Sequence, residues 1–306
     1  MLAIGEKIKA EALDLGFSYC GFAKAEPLVQ EAEWLSVYLE RKPPDAFEYL
    51  SITLAKRLDP RRIMEDAKSV IILLLNYYTP QIQQEESSFI IARYAYGKDY
   101  HIVVKEKLDK LVSFMKAEAG EIRAKAFVDS GPVMEKAWAQ RGGAGWIGKN
   151  TLLITKSAGS FFFIGIILTN LEIKPDEPEL DHCGVCNKCM EACPAGALEM
   201  PYRLNPAKCI SYWTIENRSI IPEELIDKFH NRIYGCDICQ DECPYNKFAI
   251  PNNEPAFTIS DDLKSMRKED WLNLTEEEFL RIFRDSPLMR TGYEKVMRTV
   301  RYLGHI

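Results

Sequence analysis

No apolar run in this 306-residue chain is long enough to cross a bilayer. The longest, Val70 to Leu75 and Phe161 to Leu168, fall far short of the roughly 20 residues that a spanning helix needs. Met1 to Phe17 is charged and amphipathic and lacks the apolar stretch of a secretory signal. Histidine is scarce, at His101, His182, His230 and His305, and no H-E-x-x-H pattern occurs, which excludes zincin-type hydrolysis. There is no Walker A spacing, no internal repeat beyond two cysteine groups and no low-complexity segment. A net charge of -6 leaves no overall basic footprint of the kind nucleic-acid binders carry. These absences lead us to expect a globular protein of a reducing cytoplasm, without membrane contact and large enough for more than one unit.

Cysteine is what the sequence does have, nine in all, eight of them between Cys183 and Cys243. Cys183, Cys186, Cys189 and Cys193 follow the spacing C-x2-C-x2-C-x3-C-P, and Cys236, Cys239 and Cys243 close the same way on Pro244. Cys209 is the upstream cysteine left to complete the second group. In two-cluster ferredoxins the fourth cysteine of each run ligates the other cluster. One [4Fe-4S] cluster is therefore expected on Cys183, Cys186, Cys189 and Cys243, and the other on Cys193, Cys209, Cys236 and Cys239. Structural zinc is the competing use of four thiolates, and the repeated C-x3-C-P ending favours clusters. A disulfide framework fits neither the compartment nor the size.

Upstream, the pattern predicts a helix from Ile4 to Leu15, a strand at Tyr19 to Ala23, and a helix from Pro27 to Glu40 broken by Pro43-Pro44. An irregular basic segment carrying Lys56, Arg57, Arg61 and Arg62 precedes a buried strand, Val70 to Leu75. Asp99 is expected to cap a long helix ending near Gly120, followed by a strand, Ala124 to Val128. Asp129 then stands at a strand exit, where it serves either as the N-cap of a helix beginning at Ser130-Gly131-Pro132 or as a catalytic side chain. The glycine-rich stretch Arg141 to Asn150 either approaches a ligand or simply turns the chain. Thr151 to Thr155 and Phe161 to Leu168 are expected to pair as a hairpin across Ser157-Ala158-Gly159. Pro222 to His230 reads as a short helix, and Thr275 to Glu278 as a capping box leading into a helical tail. The tail from Arg281 to Ile306 holds six basic residues against Asp285 and Glu294. Lys295, Arg298 and Arg301 recur at helical spacing, so a basic face is expected there, either solvated or in contact with phosphate.

Five stretches carry a resemblance: YAYGKDYH from Tyr94, FVDSGPVMEKAWAQRGGAGWIGKNTLLI from Phe127, CGVCNKCMEACPAGAL from Cys183, CISYWTIE from Cys209 and NRIYGCDICQDECPYNKFA from Asn231. Together they closely resemble the epoxyqueuosine reductase family, over nearly the whole chain. The resemblance implies an α+β fold in which a nitroreductase-like, corrinoid-binding sheet domain (1–175) joins a ferredoxin-like two-[4Fe-4S] module (176–250) and a helical C-terminal tail (251–306). That plan is similar to reductive dehalogenases. It implies an oxidoreductase of tRNA processing that reduces epoxyqueuosine at the anticodon wobble position in queuosine biosynthesis. Its cofactors would be base-off cobalamin, consistent with the missing Asp-x-His-x-x-Gly motif, and the two clusters.

By the same resemblance, Asp129 is the general acid, with a pKa expected to be raised by desolvation in the closed site. Gly148, Lys149, Asn150 and Leu153 hold the corrin, Ser211 approaches it from the cluster side, Ala92 lies near the cobalt face, and Arg57 reaches its periphery. His182 would shield the first cluster, and His101 is a pocket candidate. The expected partners are a tRNA anticodon stem-loop and a low-potential electron donor, and the expected state is a monomer. Longer relatives continue into HEAT-like repeats that grip tRNA, so the basic tail here is expected to be what remains of that grip. Two other readings stay open: a dehalogenase-like reductase of small molecules, and a ferredoxin-like electron carrier.

Overall fold

The computed structural model describes residues 3–41, 47–84 and 86–304, with the backbone alone at Arg41. The expected Pro43-Pro44 break and His305 lie outside them. Its centre is β2 (Ser69–Asn76), an unbroken apolar run buried on both faces. Such a run suits a central strand, because alternate side chains must enter two separate cores. Ile71, Leu73 and Leu75 point into one core, with α1 (Ile4–Asp14) and α5 (Tyr100–Ala119). Val70, Ile72 and Leu74 point into the other, with Ala137 and Trp138 of α6 (Glu135–Arg141).

The sheet is antiparallel throughout, in the order β1-β2-β7-β4, with β1 at Tyr19–Lys24, β4 at Ala124–Val128 and β7 at Phe162–Thr169. Gly165 of β7 lies opposite Leu73, and a Cβ there would come within 2.9 Å of Leu108, so its bareness lets α5 sit close. Asp99 caps α5 as expected, accepting from the His101 backbone N–H.

Three local expectations are corrected. Of the predicted hairpin only its tip forms, as an antiparallel Thr155–Gly159 bridge. Leu153–Ile154 instead pairs with Trp146–Ile147 in a small separate sheet, while β7 takes β2 and β4 as neighbours. The segment before Arg62 is not irregular but carries two one-turn helices, α3 (Glu48–Ile52) and α4 (Leu54–Leu58). Finally, α6 begins at Glu135 rather than at Ser130, so Asp129 is not its N-cap.

A third core gathers Phe89 to Tyr96, the stretch from Ile210 to Tyr234, and the tail helices α11 (Lys268–Leu272), α12 (Glu276–Phe283) and α14 (Tyr293–Gly304). The Thr275–Glu278 capping box opens α12 as predicted. The basic face expected on α14 points largely inward. Arg298 donates to the carbonyls of Trp213 (2.6 Å), Ser219 (2.7 Å) and Asn217 (3.2 Å), and Lys295 donates to that of Ile215. These carbonyls belong to the π-helical turn Tyr212–Glu216 and the chain leaving it, whose ends lack internal partners. Charge spacing alone gave no sign of this, because solvated and clamping arginines share the same helical period. Among the described residues no helix is long and apolar enough to cross a membrane.

Replacing Arg298 with Ala should lower unfolding stability by about 2–3 kcal/mol, since three carbonyls lose a charged donor. Arg301→Ala, which breaks only an exposed 3.6 Å pair with Glu294, should change it by less than about 0.5 kcal/mol. Chemical denaturation of both variants checks the contrast.

Candidate active site

Cys183, Cys186, Cys189 and Cys243 line one cavity of about 360 Å³, together with His182, Lys149, Asn150, Ile154 and Tyr245. Burial raises the pKa of Cys239, and the nearby charges of Cys236, Cys209 and Cys193 raise it further. Cys189 is influenced in the same way by Cys243, Cys183 and Cys186. The thiols near Cys189 and those near Cys239 form different groups, with Cys243 among the first and Cys193 among the second, as the cross-ligation rule requires of a two-cluster module. Among the described residues no three His, Cys, Asp or Glu converge on a single-ion site. The first set surrounds a cavity, as cluster ligands must.

Sulfur here is hydrogen-bonded. The Trp146 indole N–H donates to Cys183 Sγ (3.4 Å), and the Ala197 backbone N–H to Cys193 Sγ (3.2 Å). Such donors tune cluster potential. His182 stands edge-on to Trp146, with ring centroids 4.9 Å apart, in the wall of the first cavity.

The buried Lys149 ammonium donates to Gly184 O (2.7 Å), Cys186 O (2.8 Å) and Asn187 Oδ1 (3.0 Å), using all three of its protons on the first cysteine loop. Asn150 donates to Cys239 O (3.3 Å). These two side chains serve the cluster loops, which leaves the backbone of the turn to face any cofactor. A Cβ on Gly148 would meet Ile154 at 2.3 Å, so this glycine keeps the turn tight against Leu153–Ile154. Leu153 is buried in the sheet core. Ala92 packs against Gly235 in the wall of a second cavity, of about 580 Å³, that also contains Cys236.

At the end of β4, Asp129 adopts φ 53°, a left-handed conformation that turns its carboxylate towards the start of α5. Tyr100 donates to Asp129 Oδ2 at 2.7 Å, and His101 Nε2 lies 3.2 Å from the same oxygen. The other ring nitrogen of His101 is 2.7 Å from Asp99 Oδ1. Tyr100 is fixed between His101 and Phe163, each ring stacked 4.2 Å away.

Burial alone would raise the Asp129 pKa, but hydrogen bonds from His101 and Tyr100 and the charges of His101 and Arg290 outweigh it, bringing it down to about 2. His101 moves the other way, to about 9, because its two carboxylate partners outweigh its own desolvation. In the free chain the Asp129 pKa is thus lowered, whereas the raised value is expected of the closed site. The resting pair is a carboxylate and an imidazolium, so the proton is stored on His101.

Around Asp129 the walls are polar and half-open. The Arg290 guanidinium lies 3.6 Å from Asp129 and 3.6 Å from Glu216. Arg57 stacks 5.3 Å over Tyr49 and donates to Val133 O (3.3 Å). Lys136 donates to Thr151 O (2.7 Å). Ser211 begins the π-helical turn that carries Glu216. Glu135 has a buried carboxyl oxygen without a hydrogen-bond partner among the described residues, and burial pushes its pKa up to about 8. Sequence reasoning missed Glu135, Glu216 and Arg290. Glu135 stood in the quoted VMEKAWA stretch, whereas nothing local marked Arg290.

A family profile described as "Epoxyqueuosine reductase QueG, DUF1730" matches residues 57–130, and one described as "4Fe-4S double cluster binding domain" matches residues 182–246. The epoxyqueuosine reductase of Cellulophaga algicola is 46% identical over 296 residues, covering 97% of this chain and 96% of its own. The chain belongs to the epoxyqueuosine reductase family. An epoxyqueuosine reductase crystallised with an epoxyqueuosine-modified tRNA-Tyr stem loop superposes with a TM-score of 0.88 at 30% identity, covering 97% of this chain and 80% of that one. The Bacillus subtilis epoxyqueuosine reductase, in a structure whose catalytic aspartate loop is swung out of the active site, superposes at 0.87 and 30% identity, covering 97% and 80%. Family membership settles the α+β architecture and the double [4Fe-4S] module.

In this epoxyqueuosine reductase family member, Cys193→Ala should abolish the cluster shared with Cys209, Cys236 and Cys239 and leave the Cys183 cluster in place. Iron should fall from about eight to about four per chain. Loss of the Cys183 signal in the electron paramagnetic resonance spectrum of this variant would overturn the exchanged pairing.

Proposed function

We propose that this chain reduces epoxyqueuosine to queuosine at the wobble position of tRNA anticodons, in the cytoplasm and as a monomer, with electrons from a low-potential donor. The observation that carries the reading is the half-exposed Asp129 carboxylate held between Tyr100, His101 and Arg290 in a chain that also carries a double-cluster module. The aspartate loop of the Bacillus subtilis structure supports the catalytic assignment of Asp129. We divide the chain into a sheet domain (1–175), a cluster module (176–250) and a tail (251–306).

Converting an epoxide to an alkene breaks two C–O bonds, forms a C=C bond and releases the oxygen as water, consuming two electrons and two protons. When bound, the clusters carry electrons singly and a base-off cobalamin supplies the strongly reducing centre. Support for a corrinoid in this cleft comes from the unpartnered Glu135 oxygen and the half-open polar walls, since a corrin rim carries amides that both donate and accept. Arg57, Glu135, Ser211, Ala92 and the backbone from Gly148 to Leu153 would hold it.

The proton chemistry falls to the chain itself. His101 stores one proton at Nε2, Asp129 Oδ2 accepts it and passes it to the departing oxygen, the second proton comes from solvent, and Asp99 fixes the imidazole by its other nitrogen. Tyr100 keeps the Asp129 carboxylate in place throughout.

Asp129→Asn should cut turnover on a modified stem-loop by at least about 100-fold with the iron content unchanged. Equal turnover would overturn the assignment. Turnover should fall as pH rises through about 9, where His101 loses its proton, and His101→Gln should abolish that limb. The stabilising effect of His101 should be complete below about 6.5 and lost as pH climbs through about 9. That of Asp129 should be present above about 3.8 and lost as pH falls through about 2.

A further inference from the structure

Arg290 is brought to the site by an element far from it in sequence. It lies on the one-turn helix α13 (Leu288–Thr291), whose approach is pinned by three hydrogen bonds. Asp285 O accepts from the Asp99 backbone N–H (2.6 Å), Ser286 Oγ donates to Ala95 O (3.3 Å), and Pro287 O accepts from the Tyr234 hydroxyl (3.2 Å). The backbone is thus welded to the start of α5, beside Tyr100 and His101. The side chain is not. It is 52% exposed and lies 3.6 Å from Asp129 and 3.6 Å from Glu216, beyond hydrogen-bond length in both directions. A guanidinium held only by charge at a half-open site can leave for a better anion. A phosphate that accepts two parallel hydrogen bonds is one.

We propose that Arg290 is a substrate-responsive counter-ion: it neutralises Asp129 and Glu216 in the free enzyme, and the RNA backbone of the substrate draws it away, arming Asp129 to take a proton from His101. The proposal rests on the tRNA reading above and deepens it. It accounts for a carboxylate that must act as an acid and yet is held ionised at rest.

The groups facing Asp129 are few enough to follow the balance. Tyr100 and His101, with Asp99 behind, come from α5. Glu135 and Lys136 come from α6, Tyr49 and Arg57 from α3 and α4, and Glu216 from the π-helical turn. Glu216 adds negative charge, and Arg57 and Lys136 already serve Val133 and Thr151 by hydrogen bonds. Arg290 is therefore the cation that can move. Its departure leaves the Asp129 carboxylate less neutralised, so the proton shared with His101 shifts towards oxygen and the pair binds it more tightly. No electron moves in this step. The proton passes from His101 Nε2 to Asp129 Oδ2 and on to the leaving oxygen.

The test uses oxidised, cluster-loaded full-length protein and an epoxyqueuosine-bearing anticodon stem-loop, with Arg290→Gln and Arg290→Lys beside the wild type. If Arg290 meets phosphate, the slope of log affinity against log salt becomes shallower by about 1 in Arg290→Gln and is kept in Arg290→Lys. The His101 imidazole resonance, assigned with His101→Gln, should titrate at higher pH when wild type binds the stem-loop. In Arg290→Gln it should titrate there already, and the RNA should move it little further. Unchanged salt slope in Arg290→Gln, or equal RNA-induced shifts in both proteins, overturns the counter-ion role and leaves the tRNA reading intact. Failure of the wild type to bind the stem-loop overturns the tRNA reading itself.

Discussion

The crossing of Cys193 and Cys243 between the two cysteine runs is the constraint on which the rest of the molecule depends. Cys243 returns to the cavity of Cys183, Cys186 and Cys189, while Cys193 lies near Cys239 with Cys209 and Cys236. Both runs must therefore fold against each other, and α7 (Lys188–Glu191) packs on α9 (Ile238–Asp241). The sheet domain reaches into this arrangement at a few points. The Lys149 ammonium ties down the first loop, Asn150 touches the second, and Trp146 donates to Cys183. A buried ammonium is costly unless every proton is accepted, and here three acceptors meet it. The glycines before it let the backbone come close enough: a Cβ on Gly145 would sit 2.1 Å from Ile154 O.

The chemistry at Asp129 follows from the same economy of placement. A carboxyl in a cleft would ordinarily become neutral, and the family resemblance had suggested as much. Two donors and a guanidinium reverse the sign. In the proposed mechanism, proton storage is thereby separated from proton delivery, with the imidazolium as store and the carboxylate as conduit. The left-handed backbone at Asp129 is the local strain that turns its side chain from the strand end towards Tyr100 and His101.

Much of this was legible in the sequence where a signal is local or covalently dictated. Cysteine spacing revealed the double-cluster module, because ligand geometry restricts how far apart the thiolates can fall. The apolar run at Val70 and the Asp99 cap were likewise readable. The hairpin was not, because adjacency in sequence does not decide which of several strands β7 will pair with, and the long buried β2 on one side and β4 on the other took both of its edges. The charge state of Asp129 was hidden for a different reason: its partners come from α5 and α13, and only tertiary packing assembles them. Arg298 and Lys295 were visible as a basic stripe, but a stripe does not reveal whether it faces water or a row of carbonyls.

The third core has a consequence for biosynthesis. It joins Phe89 to Tyr96, the chain around Cys209 and Tyr234, and the final helices into one apolar mass. All eight cysteines of the two runs precede α14 in the chain, so during synthesis Cys209 and Cys236 are exposed before the apolar face of that helix can pack beside them.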